Sequence, residues 1–164
     1  MASVYFLKID GIEGQSADKG HEKWVELISF SHGSQQNISI QRGGTDVMGR
    51  GQFLPFTFVH AVDKATPKLQ HYCMSGNKID KVEFAYCRFV GGAQTPVYEL
   101  VLENVKVGKA VVTTITSDDD SLAQQPVETV ELIAGKISWK VTPIKPDATK
   151  DGAIEANFNQ ISNE

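Results

Sequence analysis

The sequence predicts a mainly β protein, a two-sheet β-barrel or sandwich with one short α-helix. Seven or eight segments are rich in β-branched and aromatic residues and are separated by glycine, proline or polar turns. Residues 136–142 show the clearest alternation of polar and apolar side chains, which is typical of a half-buried strand. Only one segment carries helical spacing, and no internal repeat or linker divides the 164 residues, which we expect to form a single domain, 1–164.

The predicted strands follow one another along most of the chain. They cover residues 3–10, 23–33, 52–62, 81–90, 96–107, 109–117 and 128–143. Residues 23–33 have apolar side chains on both faces, which predicts a strand covered on both sides for part of its length. Pro55 predicts an edge or a bulge in the third strand. The sequence GGAQT at 91–95 predicts a hairpin loop.

The single predicted helix covers about residues 64–75. Asp63 or Thr66 is a candidate N-cap, and Pro67 fits an early helical position. Gly76 supplies a C-terminal stop. An apolar stripe would face the sheets: Leu69, Tyr72 and Cys73.

Three segments predict irregular structure. Residues 41–52 contain four glycines without apolar periodicity, which predicts a long, exposed and adaptable loop. Residues 117–126 predict an acidic, solvated connection between two strands. From about residue 145 the chain is polar with isolated apolar residues, and we expect this tail to lie against another surface or to be partly disordered.

Composition excludes several classes of function. The net charge of −4 removes the electrostatic attraction that drives non-specific nucleic-acid binding, so no nucleic-acid partner is expected. No segment approaches the roughly 20 apolar residues of a spanning helix, so we expect no membrane insertion. The first residues lack the features of a cleaved signal peptide, which predicts synthesis in the cytoplasm. Cys73 and Cys87 form no C-x-x-C pair and are expected to be buried apolar fillers.

No local motif supports catalysis or cofactor binding. The acidic segments miss the ligand spacing of a calcium loop, and no zinc motif, G-x-S-x-G elbow or phosphate-binding loop occurs. We therefore expect a protein that is not an enzyme, with no catalytic residue, metal or cofactor. A metal-dependent hydrolase assembled by long-range convergence of His21, His32 and His60 with nearby carboxylates remains an alternative.

Several segments in the same order resemble one known family. The opening YFLKIDGIEGQSADKGHEKWVELISFSHG, the strand and helix segment FTFVHAVDKATPKLQHYCMSG and the closing ISWKVTPI are similar to the haemolysin-coregulated protein (Hcp) family, the tube protein of bacterial type VI secretion. The matching positions are Lys8, Ile9, Gly11, Ile12, Gly14, Ser16, Asp18, His21, Trp24, Phe30, Ser31, Gly33, Asp63, Lys64, Thr66, Pro67, Leu69, Cys73 and Gly76.

This resemblance implies a β-barrel subunit that assembles into hexameric rings. The rings stack into a hollow tube inside a contractile sheath, under a spike protein, and the lumen carries small effectors that are exported with the tube. Ser31 is then the expected lumen and effector contact. The expected ring-stacking residues lie in the glycine-rich loop: Gly43, Gly44, Thr45, Asp46 and Gly49.

A competing interpretation is a monomeric β-barrel that binds a small ligand in its interior. The centre of the barrel discriminates between the two, because the same side chains would fill a tube subunit but line a cavity in a ligand-binding barrel. These side chains are Leu100, Leu102, Ile137, Trp139 and Val141.

Overall fold

A computed structural model describes residues 4–114 and 125–164. Strands dominate these residues and one short helix interrupts them, which confirms the predicted fold class. The elements are β1 (Tyr5–Ile9), β2 (Val25–Glu26), β3 (Ser29–Gln35), β4 (Ile38–Gln41), β5 (Gly44–Val47), β6 (Gln52–Ala61), α1 (Thr66–Ser75), β7 (Ile79–Val90), β8 (Ala93–Thr114), β9 (Pro126–Val141) and β10 (Ile154–Asn159). Most of the predicted acidic connection, 117–124, falls outside the described residues.

The main sheet is antiparallel, with the strand order β2-β1-β7-β8-β9-β6-β3. Its two end strands, β2 and β3, are nearly consecutive in the chain. Between them the Leu27 N–H donates to the Tyr5 carbonyl (2.9 Å) and the Ile28 N–H donates to the Val59 carbonyl (2.7 Å). Because successive residues turn to β1 on one side and to β6 on the other, this segment joins the two ends of the sheet and closes a barrel.

The same change of partner corrects the prediction of one strand over residues 23–33. The segment forms two strands, β2 on β1 and β3 on β6, and Trp24 precedes both of them. The predicted cover on both faces is only partly present: Val25 and Leu27 are buried and Phe30 packs against the same core, whereas Ile28 is exposed.

The predicted hairpin and bulge are present, although the hairpin loop is shorter than predicted because residues 93–95 belong to β8. Gly91 and Gly92 have φ values of 59° and 80°, the left-handed backbone that a two-residue hairpin turn between β7 and β8 requires. Pro55 lies where the β3–β6 register shifts, so it occupies a bulge and its missing N–H breaks no ladder bond. The two predicted strands on either side of Gly108 are one strand, β8, with a register shift at that glycine.

The helix α1 ends as predicted and begins differently. Gly76 takes φ 71° and its N–H donates to the Tyr72 carbonyl (3.0 Å). The N-cap position is Ala65, so the assignment of Asp63 or Thr66 is wrong. The Asp63 carboxylate instead accepts the Ala65 N–H (2.9 Å), which forms an Asx turn just before the helix.

The tail and the glycine-rich segment are more regular than predicted. β10 pairs with the second half of β9, so part of the tail lies against the barrel as a strand. β4 and β5 form a separate two-stranded hairpin, which corrects the prediction of an irregular loop over 41–52. Ser39 pairs with Asp46 in this hairpin. Alternating apolar residues before the glycines, at Ile38 and Ile40, were the pattern that could have revealed it.

Candidate assembly and lumen surfaces

The β4–β5 hairpin, residues 38–47, is called the hairpin arm here. Its register places Ile38 opposite Val47 and Ile40 opposite Thr45, so the three apolar side chains share one face. All three are exposed, and Ile40 is 89% exposed. Within the described residues the hairpin arm belongs to no larger sheet. An apolar face on such an arm is typical of a surface that another chain covers.

The predicted ring-stacking residues lie on or beside the hairpin arm. Gly43 occupies its turn, with φ 105°, and Gly44, Thr45 and Asp46 belong to β5. Gly49 follows β5, with φ 151°. All of these residues are exposed, so the structure brings them together on one projecting element.

Ser31 lies on the outer face of the barrel wall. Its neighbours in β3, Phe30 and His32, both stack on the ring of the buried Phe56 inside the barrel. Ser31 is exposed on the opposite side of the strand. The strand register continues this outer face as one row across β3, β6, β9 and β8. The row consists of Ser31, Thr57, Glu131 and Lys109. These short or charged side chains form a hydrophilic wall.

The centre of the barrel is filled by side chains. Leu100, Leu102 and Ile137 are buried in the main core cluster, and Trp139 packs against it. Val141 is exposed, so its expected place in the barrel centre is wrong. A filled interior favours a structural subunit over a barrel that binds a ligand inside.

The three histidines of the hydrolase alternative lie in separate contacts. His32 Nε2 and the Tyr98 hydroxyl share a hydrogen bond of 2.9 Å, whose direction depends on the imidazole tautomer. Burial lowers the pKa of His32 and raises the pKa of Tyr98. Across residues 4–114 and 125–164, no group of three or more His, Cys, Asp or Glu side chains is placed to hold a metal ion.

His21 lies in a contact that the sequence did not predict. Its Nδ1 is 2.9 Å from Asp18 Oδ2 and its Nε2 is 3.9 Å from Cys87 Sγ, the order of groups in a cysteine nucleophile site. Burial, followed by the negative charges of Asp18 and Glu99, raises the pKa of Cys87 to about 11. The thiol is therefore protonated at neutral pH and fully buried, so this contact is structural.

His60 forms a buried charged cluster with two carboxylates. His60 and Glu128 are both 0% exposed and are joined through Nε2 and Oε1 at 2.7 Å, while His60 Nδ1 lies 3.6 Å from Asp63 Oδ1, beyond hydrogen-bond length. Burial lowers the pKa of His60, but the two carboxylates raise it by more, to about 9. Gln70 of α1 donates to Glu128 Oε2 (2.7 Å) and to the Ala110 carbonyl (3.3 Å). The cluster therefore fastens α1 to β6, β8 and β9.

No helix in the part of the chain that the structure describes combines the length and the apolarity needed to cross a bilayer.

The chain is a mainly β protein of the class formed by a closed antiparallel barrel with a filled interior and a separate β-hairpin. The chain belongs to the Hcp family of type VI secretion tube proteins: the family model described as "Type VI secretion system effector, Hcp" matches residues 6–141. It is 29% identical over 152 residues to protein hcp1 of Pseudomonas aeruginosa, covering 93% of this chain and 91% of that protein. This confirms the family resemblance drawn from the sequence.

Solved structures show the same fold. The structure of a type six secretion system protein superposes with a TM-score of 0.88 at 21% identity, covering 99% of both chains. Hcp1 from Salmonella typhimurium superposes with a TM-score of 0.79 at 25% identity, covering 100% of this chain and 99% of that one.

Proposed function

We propose that this chain is the repeating subunit of a type VI secretion inner tube. Six copies close into a ring, and rings stack into a hollow tube that a contractile sheath propels, with a spike protein at its tip. The protein is made in the cytoplasm and leaves the cell by this route. Family membership supports the tube assembly, and the exposed apolar face of the hairpin arm is the observation that carries self-association.

Light scattering after size-exclusion chromatography, with negative-stain microscopy, tests the ring. We expect the mass of a hexamer and ring-shaped particles. A monomer at micromolar concentration with no rings would contradict the proposal and would favour the monomeric ligand-binding barrel.

The hairpin arm is proposed to make the contact between stacked rings. Its turn and second strand contain four of the residues proposed for stacking, Gly43, Gly44, Thr45 and Asp46, and the fifth, Gly49, follows the second strand. Deletion of residues 43–50 should spare the single ring, because the arm lies outside the barrel sheet, and should abolish stacking and secretion. Loss of the ring itself would show that the arm acts within a ring.

The row that begins at Ser31 is proposed as the lumen wall that contacts small effectors. Hydroxyl and charged side chains leave a hydrated surface, which suits a wall that must release its cargo. Ser31→Trp should leave the ring intact, because Ser31 is exposed and packs on no core residue, and should reduce retention of a co-expressed effector. Met74→Trp, on an exposed helix position, is the matched control. Equal retention by both variants would remove Ser31 from the lumen contact.

A further inference from the structure

The first strand of the hairpin arm has an open outer edge. The Met48 N–H donates to the Asn37 carbonyl (2.8 Å), so Asn37 and Met48 form a hydrogen-bonded pair. The next pair along the arm, Ile38 and Val47, therefore directs its backbone groups outward, and so does Ile40. Within the described residues no further strand pairs with β4.

The two outer edges of the hairpin arm are not equivalent. On β5 the outward N–H of Val47 is already occupied by the Asp46 carboxylate at 2.9 Å. β4, with the sequence ISIQ, carries no charge and no proline, the residues that usually guard an exposed edge. β4 is therefore the edge that is free to pair.

A second open edge lies on β10. The Gln160 N–H donates to the Gly135 carbonyl (2.8 Å), which continues the β9–β10 ladder and leaves the preceding residue, Asn159, with its backbone groups directed outward. The Asn159 N–H donates to the Glu164 carbonyl (2.7 Å), and the Glu164 N–H donates to the Asn159 carbonyl (3.1 Å). The chain thus caps its own edge at this residue.

Asn157 and Glu155 have the same outward direction as Asn159, because they lie two and four residues before it. In the described chain β9 is the only strand that pairs with β10, so these two residues form an edge without a partner strand. Glu155 Oε1 forms an ion pair with Lys140 Nζ (3.6 Å). Because its charge is partly balanced, Glu155 opposes the addition of another strand only weakly.

A cleft of about 630 Å³ runs beside this edge. The β6–β9 pairing stops at Phe56 and Leu132, so the first residues of β6 separate from β9 while β10 takes the place next to it. Three aromatic rings border the cleft, and the Phe53 ring makes edge contacts with the rings of Trp139 and Phe158. The rest of the lining consists of amide side chains such as Gln36 and Asn157, a serine, two glycines, the cation Arg50, and Val47 at the base of the chain's own hairpin arm.

We propose that β4 of a second copy lies in this cleft and adds to the edge of β10 as a parallel strand. This inference rests on the proposed tube function, since it names the surface on which the hairpin arm docks. In a parallel pair, the outward groups of Ile40 bond to those of Glu155 and Asn157, which aligns Ile40 with Ala156 and Ile38 with Ile154.

Side-chain chemistry selects the parallel direction. In the β9–β10 ladder Ala156 lies opposite Trp139 and Ile154 lies opposite Val141, so this face of the edge is apolar. The two isoleucines of the arm would therefore meet apolar partners there. The antiparallel alignment would place Ile38 and Ile40 beside the polar face of Glu155 and Asn157. Exposed isoleucines on both edges, among them Ile154, become covered only in the parallel arrangement.

Cysteine cross-linking tests the contact. Ile40→Cys and Ala156→Cys are combined in a Cys73→Ala background, with Cys87 kept because it is fully buried. Neighbouring strands lie about 4.8 Å apart, within the span of a disulfide. Mild oxidation at increasing protein concentration should give a ladder of interchain products on non-reducing gels, extending beyond six chains. Ile40→Cys with Met74→Cys is the matched control, since Ile40 and Met74 are each 89% exposed, and should give no ladder.

A charge at the edge gives a second test that does not depend on disulfide geometry. Ile154→Lys should prevent stacking while Met74→Lys should not, because lysine on a strand edge blocks pairing.

Each other outcome overturns the inference in a defined way. Rings without a ladder would reject the edge pairing and leave the tube function intact. An intrachain disulfide would show that the arm covers its own cleft, and a ladder formed only by Ser39→Cys with Ala156→Cys would show antiparallel pairing. A parent chain that stays monomeric would reject the tube function and, with it, this contact.

Discussion

The stability of this protein should fall as pH rises from 6.5 to 9, because of His60. The pKa of this imidazole is about 9 in the folded chain, and an unfolded histidine titrates near 6.5. A group whose pKa is raised by folding stabilises the folded state fully below the unfolded pKa, and this contribution is lost as pH rises through the folded pKa. At 1.36 kcal/mol per pKa unit, the difference corresponds to about 3 kcal/mol.

Urea unfolding followed by circular dichroism, at several pH values between 6 and 9.5, measures this contribution. Protein concentration must stay fixed, because assembly adds its own stabilisation. For a protein of 164 residues, a loss of about 3 kcal/mol in the free energy of unfolding lowers the thermal midpoint by roughly 6–12 °C.

Three variants connect the pH effect to His60. His60→Gln should flatten the dependence, and Asp63→Asn should move the loss of stability to lower pH, because one carboxylate that favours the charged imidazole is removed. His71→Gln, at an exposed position of α1, should leave the dependence unchanged. A wild-type protein whose stability is flat across this range would refute the reasoning, as would an unchanged slope in His60→Gln.

Two further expectations concern packing around the N-terminal loop. Gly14→Ala should destabilise the fold by about 1–3 kcal/mol in urea unfolding, because the added Cβ would lie 2.4 Å from the Trp24 carbonyl oxygen. Gly152→Ala is the control, since a Cβ there meets open space. Equal stabilities of the two variants would contradict this expectation. A thiol reagent should label Cys73 before Cys87 in the native protein, because Cys87 is buried and its pKa is raised to about 11; equal labelling rates by mass spectrometry would contradict it.

The hairpin arm connects the fold to the proposed assembly. A barrel that closes on itself has no free edge, whereas β4 and β10 lie outside the closed circuit and each offers unpaired backbone groups. The chain satisfies such groups where assembly does not need them, at Val47 through Asp46 and at Asn159 through Glu164. The groups that we assign to a second copy are among those that stay open.

Local patterns carried the prediction of individual elements. The alternation in β9, the glycine pair at 91–92 and the stop at Gly76 each depend on a few neighbouring residues, so the sequence alone placed them correctly. The inward direction of Leu100 and Leu102 also followed from alternation, but the filled centre did not, because the same pattern fits side chains that line a cavity. The hairpin arm was missed because the four glycines of residues 41–52 concealed two short strands.

The β class, the single helix and the family of this protein follow from its amino-acid sequence alone. Tertiary structure decided which edges pair: the change of partner at Leu27 and Ile28, the docking of β10 on β9, and the contact of His60 with Glu128, 68 residues away. Side-chain alternation fixes which face of a strand is buried but not which strand lies beside it. That choice depends on backbone hydrogen bonds between distant segments, and the open edges of β4 and β10 become visible only after the other edges have found partners.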